Sequence, residues 1–251
     1  MQRYFASFLK EDNVFLILGE DYHHLVRVMR MKTGDSVICV NDEGEAALCQ
    51  VIALSADKVV AEVVHWLDDS VELPVNVTIA SGLPKGDKLD WIIQKGTELG
   101  AYTFIPFYAA RSIAKWDEKK AAKKTERLQK IAKEAAEQAH RSFVPNVKQP
   151  ISVKELVDLS DHYDFRAVAS EEAAKDGETA YFARVLHELT EGHSLLLVFG
   201  PEGGLSEKEV DQLKEAGFVA CGLGPRILRT ETAPLYALSA ISYHFELAKL
   251  S

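Results

Sequence analysis

At 251 residues the chain is long enough to bury a substantial core, as one large domain or two modest ones. Apolar residues at 47% and charged residues at 27% describe an ordinary soluble globular protein. A formal charge of −9 argues against a generic nucleic-acid coat, because phosphate binding relies on a basic surface.

Residues 1–70 read as short strands separated by turns. Ser36–Val40, Ala47–Ile52 and Lys58–Val64 are β-branched and partly alternating, with Gly34-Asp35, Asn41–Gly44 and Ser55–Asp57 as punctuation. Tyr22–Arg30 predicts one short helix carrying an apolar stripe and two arginines, Arg27 and Arg30. Closely spaced strands imply a small barrel, an architecture often used for oligonucleotides. The boundary is expected near Asp68-Asp69-Ser70.

From residue 73 the period changes. The runs Val75–Ala80, Thr103–Pro106, Arg166–Ala169, Leu195–Phe199 and Phe218–Leu223 alternate with helical segments, which predicts a mostly parallel α/β sheet. Asp87 is the expected N-cap of a helix with a Leu89, Ile92, Ile93 and Leu99 stripe and a Gly100 stop. Ser206-Glu207-Lys208-Glu209 has the form of a capping box, and its helix is expected to stop at Gly217. Pro234 suits the first turn of a closing helix in which Tyr236, Ala237, Ala240, Ile241, His244 and Leu247 recur at helical spacing.

Cys39, Cys49 and Cys221 are scattered thiols without CxxC spacing, so neither a disulfide framework nor a zinc site is expected. The histidines form no HxxxH or HExxH pair, and no metal is expected. No apolar stretch approaches the roughly 18 residues of a membrane span. Lys10-Glu11-Asp12 interrupts any signal-like apolar region after Phe8-Leu9, and a cytoplasmic protein is expected. Charge is unevenly spread. Between Arg111 and Lys133 stand nine basic residues against three acidic ones, and Arg3, Lys10, Arg27, Arg30 and Lys32 form a second basic group. Such patches serve either as solvated helix faces or as local RNA contacts.

Two glycine-rich turns in the last quarter carry the chemistry. Gly200-Pro201-Glu202-Gly203-Gly204 follows the run Leu195–Phe199, and Leu223-Gly224-Pro225-Arg226-Ile227-Leu228-Arg229-Thr230-Glu231-Thr232-Ala233 follows the next one. Each precedes a helix, so both are expected at one edge of a single sheet, where ligands bind in open α/β folds. Neither is GxGxxG or GxxxxGK[ST], which disfavours a dinucleotide dehydrogenase or a P-loop enzyme. Their glycines allow close approach to a flat ligand, and Leu223, Ile227 and Leu228 supply apolar walls.

These motifs resemble those of the RsmE-type RNA methyltransferases. Lys85–Lys88 through Lys95–Gly100 resembles the stretch that opens that family's catalytic domain. Glu134–Arg141 with Pro145 is similar to its middle motif, and the two glycine turns to its cofactor motifs. The resemblance implies an N-terminal PUA-like β-barrel for RNA binding over 1–70, followed by a SPOUT α/β domain over 73–251 with a C-terminal trefoil knot. It further implies a homodimer that uses S-adenosylmethionine to methylate N3 of a uridine in the decoding region of 16S ribosomal RNA, within the small ribosomal subunit.

On that footing the cofactor residues are expected to be Leu197, Val198, Phe199, Gly200, Pro201, Glu202, Gly203, Gly204, Leu223, Gly224, Arg226, Ile227, Leu228 and Thr232. Uridine N3 must lose a proton before transfer, so a cation and a base are sought. Arg229, with Arg226 second, is the expected electrostatic residue; Glu202 and Glu231 are candidate bases, although Glu231 serves equally as a partner for Arg229. Arg27, Arg30, Lys85, Arg111, Lys115, Lys119, Lys123, Gln138 and Arg141 are the expected RNA contacts, the last two from one helix face. Three rival readings fit the same residues: a SPOUT enzyme acting on a ribose 2′-oxygen or on transfer RNA, a non-catalytic RNA-binding assembly factor, and a nucleotide-binding metabolic enzyme.

Overall fold

The computed structural model describes residues 1–68, 71–170 and 180–248; Asp69 and Ser70 of the expected boundary lie outside them. The chain forms two compact units, one of Met1–Glu72 with Ala136–Phe143 and one of Leu73–Ala135 with Val144–Ser251.

The first unit is a six-stranded sheet in the order β1 (Arg3–Phe5), β4 (Ser36–Val40), β5 (Ala46–Leu54), β6 (Lys58–Leu67), β3 (Val14–Leu18), β2 (Ser7–Leu9). Only β1 and β4 pair in parallel. Register shifts at Leu48/Cys49 and Val51/Ala53 bulge β5 against β6, and bulges of this kind bend a sheet. Strands from both margins reach one core: Tyr4 from β1, Phe15 and Ile17 from β3, Val37, Cys39, Cys49, Val51 and Val59 from the centre, with Phe8 of β2 against them. The expected helix begins earlier than Tyr22. It runs as α1 (Gly19–His23) and widens into a π turn over His24–Val28, leaving Arg30 at φ +55°.

Glu72 ties the returning segment to this unit. Its carboxylate accepts hydrogen bonds from Nε and Nη2 of Arg141, at 2.9 Å for the first, and from the Ser142 N–H at 2.9 Å. Arg3 donates to the Arg141 carbonyl at 3.0 Å. Arg141 is 3% exposed and sits beyond the end of α3 (Glu118–Gln138), after His140 at φ +56°. The expectation that it shares a helix face with Gln138 and holds phosphate is therefore corrected, because its guanidinium is buried on Glu72.

The second unit is a parallel sheet in the order β10 (Ile151–Ser152), β8 (Thr103–Tyr108), β7 (Asn76–Gly82), β12 (Ser194–Phe199), β11 (Phe165–Ala169), β13 (Val219–Cys221), with β9 (Asn146–Val147) also on β8. Its alternate side chains enter two cores. Val77, Ile79, Leu195, Leu197 and Phe199 pack with α2 (Lys88–Glu98), α3, α5 (Ala180–Glu188) and α7 (Thr232–Ser242). Ala80, Ile105, Phe107, Leu196 and Val198 pack with α4 (Val153–Leu159) and α6 (Glu207–Glu215). Leu89, Ile92 and Ile93 are the buried stripe of α2, and Gly100 follows it at φ +90°. Asp87 stands at the N-cap, but its side chain makes no capping bond there. Ser206 does cap α6, with the reciprocal bond from its own N–H to Glu209.

Gly82, the last residue of β7, lets the loop after β12 approach closely. A Cβ there would lie 2.6 Å from Pro201 Cδ and 2.9 Å from its nitrogen. Gly82→Ala is accordingly expected to lower stability by about 1–3 kcal/mol in urea unfolding; an unchanged midpoint would contradict the close packing. Arg141→Ala strips a buried cation from Glu72 and is expected to cost roughly 3 kcal/mol. A loss below about 0.5 kcal/mol, typical of surface positions, would show that the pair is dispensable.

Candidate active site

Parallel register brings the strand ends level: Phe199 lies opposite Ser81, and Ala169 opposite Cys221. The loops that leave β12 and β13 consequently emerge from the same edge. Together they line a cleft of about 740 Å³ with Phe199, Gly200, Pro201, Glu202, Gly203 and Gly204 from the first and Leu223, Gly224, Arg226, Ile227, Leu228 and Arg229 from the second. That size is ordinary for a small-molecule site. Ala169 at the end of β11 and Ser170 after it, Arg111 after β8, Lys88 at the start of α2, and Asp211 and Lys214 on α6 also line it.

The first loop is held from several sides. The Gly204 N–H closes a tight turn onto the Pro201 carbonyl at 2.8 Å, with Gly204 at φ +70°. Arg111 Nη1 donates to the Gly203 carbonyl at 3.1 Å. Glu209, one half of the capping box, also accepts from the Ala110 N–H at 2.7 Å, joining α6 to the loop after β8. The second loop turns through Gly224 at φ +88° and closes with the Thr232 and Ala233 N–H groups on the Arg229 carbonyl, at 2.8 and 3.0 Å.

Lys88, the first residue of α2, touches both loops. Its Nζ is 3.1 Å from Glu202 Oε1 and 3.2 Å from Glu231 Oε2. The latter contact is ionic rather than a well-aligned hydrogen bond. Glu202 also accepts from the Lys85 N–H at 3.1 Å. Partial burial alone would push the Glu202 carboxyl up. Hydrogen bonds from its own N–H, Lys88 and Lys85 outweigh this and hold it below the usual carboxylate range. Glu202 raises the Lys88 ammonium above its ordinary value, Glu231 adds to that, and burial opposes both. Glu202 is thus a firmly ionised anion and a weak proton acceptor.

The expected site residues divide accordingly. Eleven of the expected cofactor residues line the cleft, whereas Leu197, Val198 and Thr232 do not figure in its wall. Leu197 and Val198 lie within β12 with their side chains in the two cores, and Thr232 opens α7. The structure pairs Glu231 with Lys88 rather than with the anticipated Arg229. Arg226 and Arg229 are exposed at the cleft. Lys85, Lys115, Lys119, Lys123 and Gln138 are exposed, as are Arg27 and Arg30 in the first unit. Part of the basic helix is committed within its own unit: Lys124 lies 5.2 Å above the Trp116 ring, and Arg127 forms a double hydrogen bond with Asp90. Lys88 was missing from the expected site, although its position carried a signal. A cation at a helix N-terminus opposes the dipole and requires an outside reason.

Among the described residues no group of three or more His, Cys, Asp or Glu is arranged to hold a metal, and no helix is long and apolar enough to cross a membrane.

Comparison with known proteins gives the same organisation. Residues 71–242 match an RNA methyltransferase domain and residues 17–64 an RNA methyltransferase PUA domain. The chain is 56% identical to the ribosomal RNA small subunit methyltransferase E of Bacillus subtilis strain 168, covering 99% of each. Identity to the protein of the same name from Mycobacterium tuberculosis is 32%, over 91% of this chain and 86% of that one. A solved ribosomal RNA small subunit methyltransferase E from Neisseria gonorrhoeae, bound to S-adenosyl methionine, superposes with a TM-score of 0.83 at 30% identity, covering 96% of this chain and 97% of that one. With a PUA domain ahead of a parallel methyltransferase sheet whose two glycine loops meet in one cleft, the chain belongs to the ribosomal RNA small subunit methyltransferase E family.

Proposed function

We propose that the protein transfers a methyl group from S-adenosylmethionine to N3 of a uridine in the decoding region of 16S ribosomal RNA. The observation that carries this reading is the convergence of both glycine loops on one cleft, in a family with a donor-bound relative of the same fold. The residues present suit the donor. Leu223, Ile227 and Leu228 offer apolar walls to a flat base, and the loop backbone offers polar groups beside them. When bound, the donor supplies an electrophilic methyl on a sulfonium.

The protein's contribution is placement and charge. Holding nucleophile and methyl carbon in line is worth on the order of 7–11 kcal/mol. Arg229, exposed at the cleft, stabilises the anion left when N3 gives its proton to solvent water, with Arg226 as the second cation. Glu202 and Glu231 are assigned to holding Lys88 rather than to proton removal, because both carboxylates already face its ammonium.

The first unit, together with the exposed Lys115, Lys119 and Lys123, is assigned to RNA in the small ribosomal subunit, with Arg27 and Arg30 as its phosphate contacts. A trefoil knot in the second unit belongs to the same reading. The path from β13 at the sheet margin back to α7, which packs on α2 and β12 in the middle, supports it. The working form is a cytoplasmic homodimer. Tyr243 at 61% and Leu247 at 73% exposure, beyond the buried Leu238 and Ile241, leave an apolar strip of the closing helix for a second copy.

The test is methylation of small-subunit particles and of naked RNA, with the product nucleoside identified by mass spectrometry. N3-methyluridine is expected, and a 2′-O-methyl product would overturn the assignment. In the same assay Arg229→Ala should lower turnover far more than donor affinity, on the order of 100-fold for a lost electrostatic donor. The opposite pattern would move Arg229 to donor binding. Replacing Lys119, Lys120, Lys123 and Lys124 together with alanine should flatten the dependence of RNA affinity on log salt. An unchanged slope would show that this helix does not meet the RNA.

A further inference from the structure

We propose that Lys88 is a positioning residue that sets the spacing of the two glycine loops, its ammonium bridging Glu202 and Glu231 so that the donor slot is held at its binding width. The proposal rests on the reading of the cleft as the donor site. Three chain segments far apart in sequence meet at this one nitrogen. Glu202 sits in the loop after β12, 3.1 Å away, and Glu231 at the N-cap of α7, 3.2 Å away. Lys88 itself begins α2, whose Leu89, Ile92 and Ile93 anchor it in the core.

Local helix energetics disfavour a lysine here. The first turn of a helix carries partial positive charge, so acidic residues are preferred and a cation is repelled. What reverses that preference is the pair of carboxylates. They approach from the two loops that the ligand must enter between, and the side chains of all three residues are only 24–31% exposed. The Lys85 N–H adds a second grip on Glu202 from just before the same helix. Removing the ammonium leaves two carboxylates that had shared one cation close together without it, and like charges so placed repel and push their loops apart. Glu202 and Lys88 hold each other in the charged form, as their opposite pKa shifts indicate.

A merely structural lysine and a slot-setting one make different predictions. Donor binding to the full-length protein is measured by calorimetry, and methylation kinetics on small-subunit particles are measured at varied donor concentration. For Lys88→Met we expect donor affinity to fall by roughly tenfold, a middling coupling between contacting groups. The KM for donor should rise in step, with kcat at saturating donor kept within about threefold. Lys88→Arg, which preserves the charge, should recover most of the affinity. Lys88→Met combined with Glu231→Gln should lose less than the sum of the two single changes, since each breaks the same bridge. If Lys88→Met fails to fold, Glu231→Gln carries the affinity test with Lys88 and Glu202 in place. Equal donor affinity in wild type and both single variants would overturn the proposal while leaving the cleft as the donor site. Additive losses, or a fall in kcat with KM unchanged, would also overturn it. Wild-type protein that shows no saturable donor binding would overturn the reading of the cleft, and the proposal with it.

Discussion

Parallel pairing is the constraint on which the rest of this structure depends. Because β7, β8, β11, β12 and β13 all run the same way, their carboxyl ends share one edge and every connection must cross back over a face of the sheet. The crossings bury both faces. Leu195, Leu197 and Phe199 enter one core, and Leu196 and Val198 enter the other. Two turns separated by a whole helix and a strand in sequence thereby line one cleft.

Given that edge, the chemistry follows from what the loops leave available. The glycines of the first loop free its backbone, while Arg111 and the Ser206–Glu209 box fix where that backbone lies. The second loop contributes two exposed guanidiniums, Arg226 and Arg229, and apolar side chains beside them. The proposed placement of donor and nucleophile rests on that pairing of apolar side chains with exposed guanidiniums in one cleft. The overall charge of −9 conceals a local concentration of exposed lysines at the start of α3.

Much of this was readable from the amino-acid order. The runs Leu195–Phe199 and Phe218–Leu223 are apolar and adjoin glycine, so composition and punctuation agree on strands, and the Ser206–Glu209 spacing marks a helix start that forms as expected. Strands β1 and β2, of three residues each, were not readable, since they are too short to display a period. β3, Val14-Phe15-Leu16-Ile17-Leu18, is apolar throughout and shows no alternation. Side-chain roles that depend on distant partners were hidden for a different reason. Arg141 looked like a phosphate ligand until its partner proved to be Glu72, 69 positions earlier. The partners of Lys88 are not legible in the sequence, because Glu202 and Glu231 lie more than a hundred residues away. Motif spacing locates loops well; it does not say which charges will be spent on holding them.

A crystal of the full chain grown with S-adenosylmethionine tests the central claim most directly. Density for the donor is predicted in the groove bounded by residues 200–204 and 223–228, its methyl turned toward the side where Arg229 is exposed. Donor density anywhere else, or an ordered donor with that groove closed, would contradict the account.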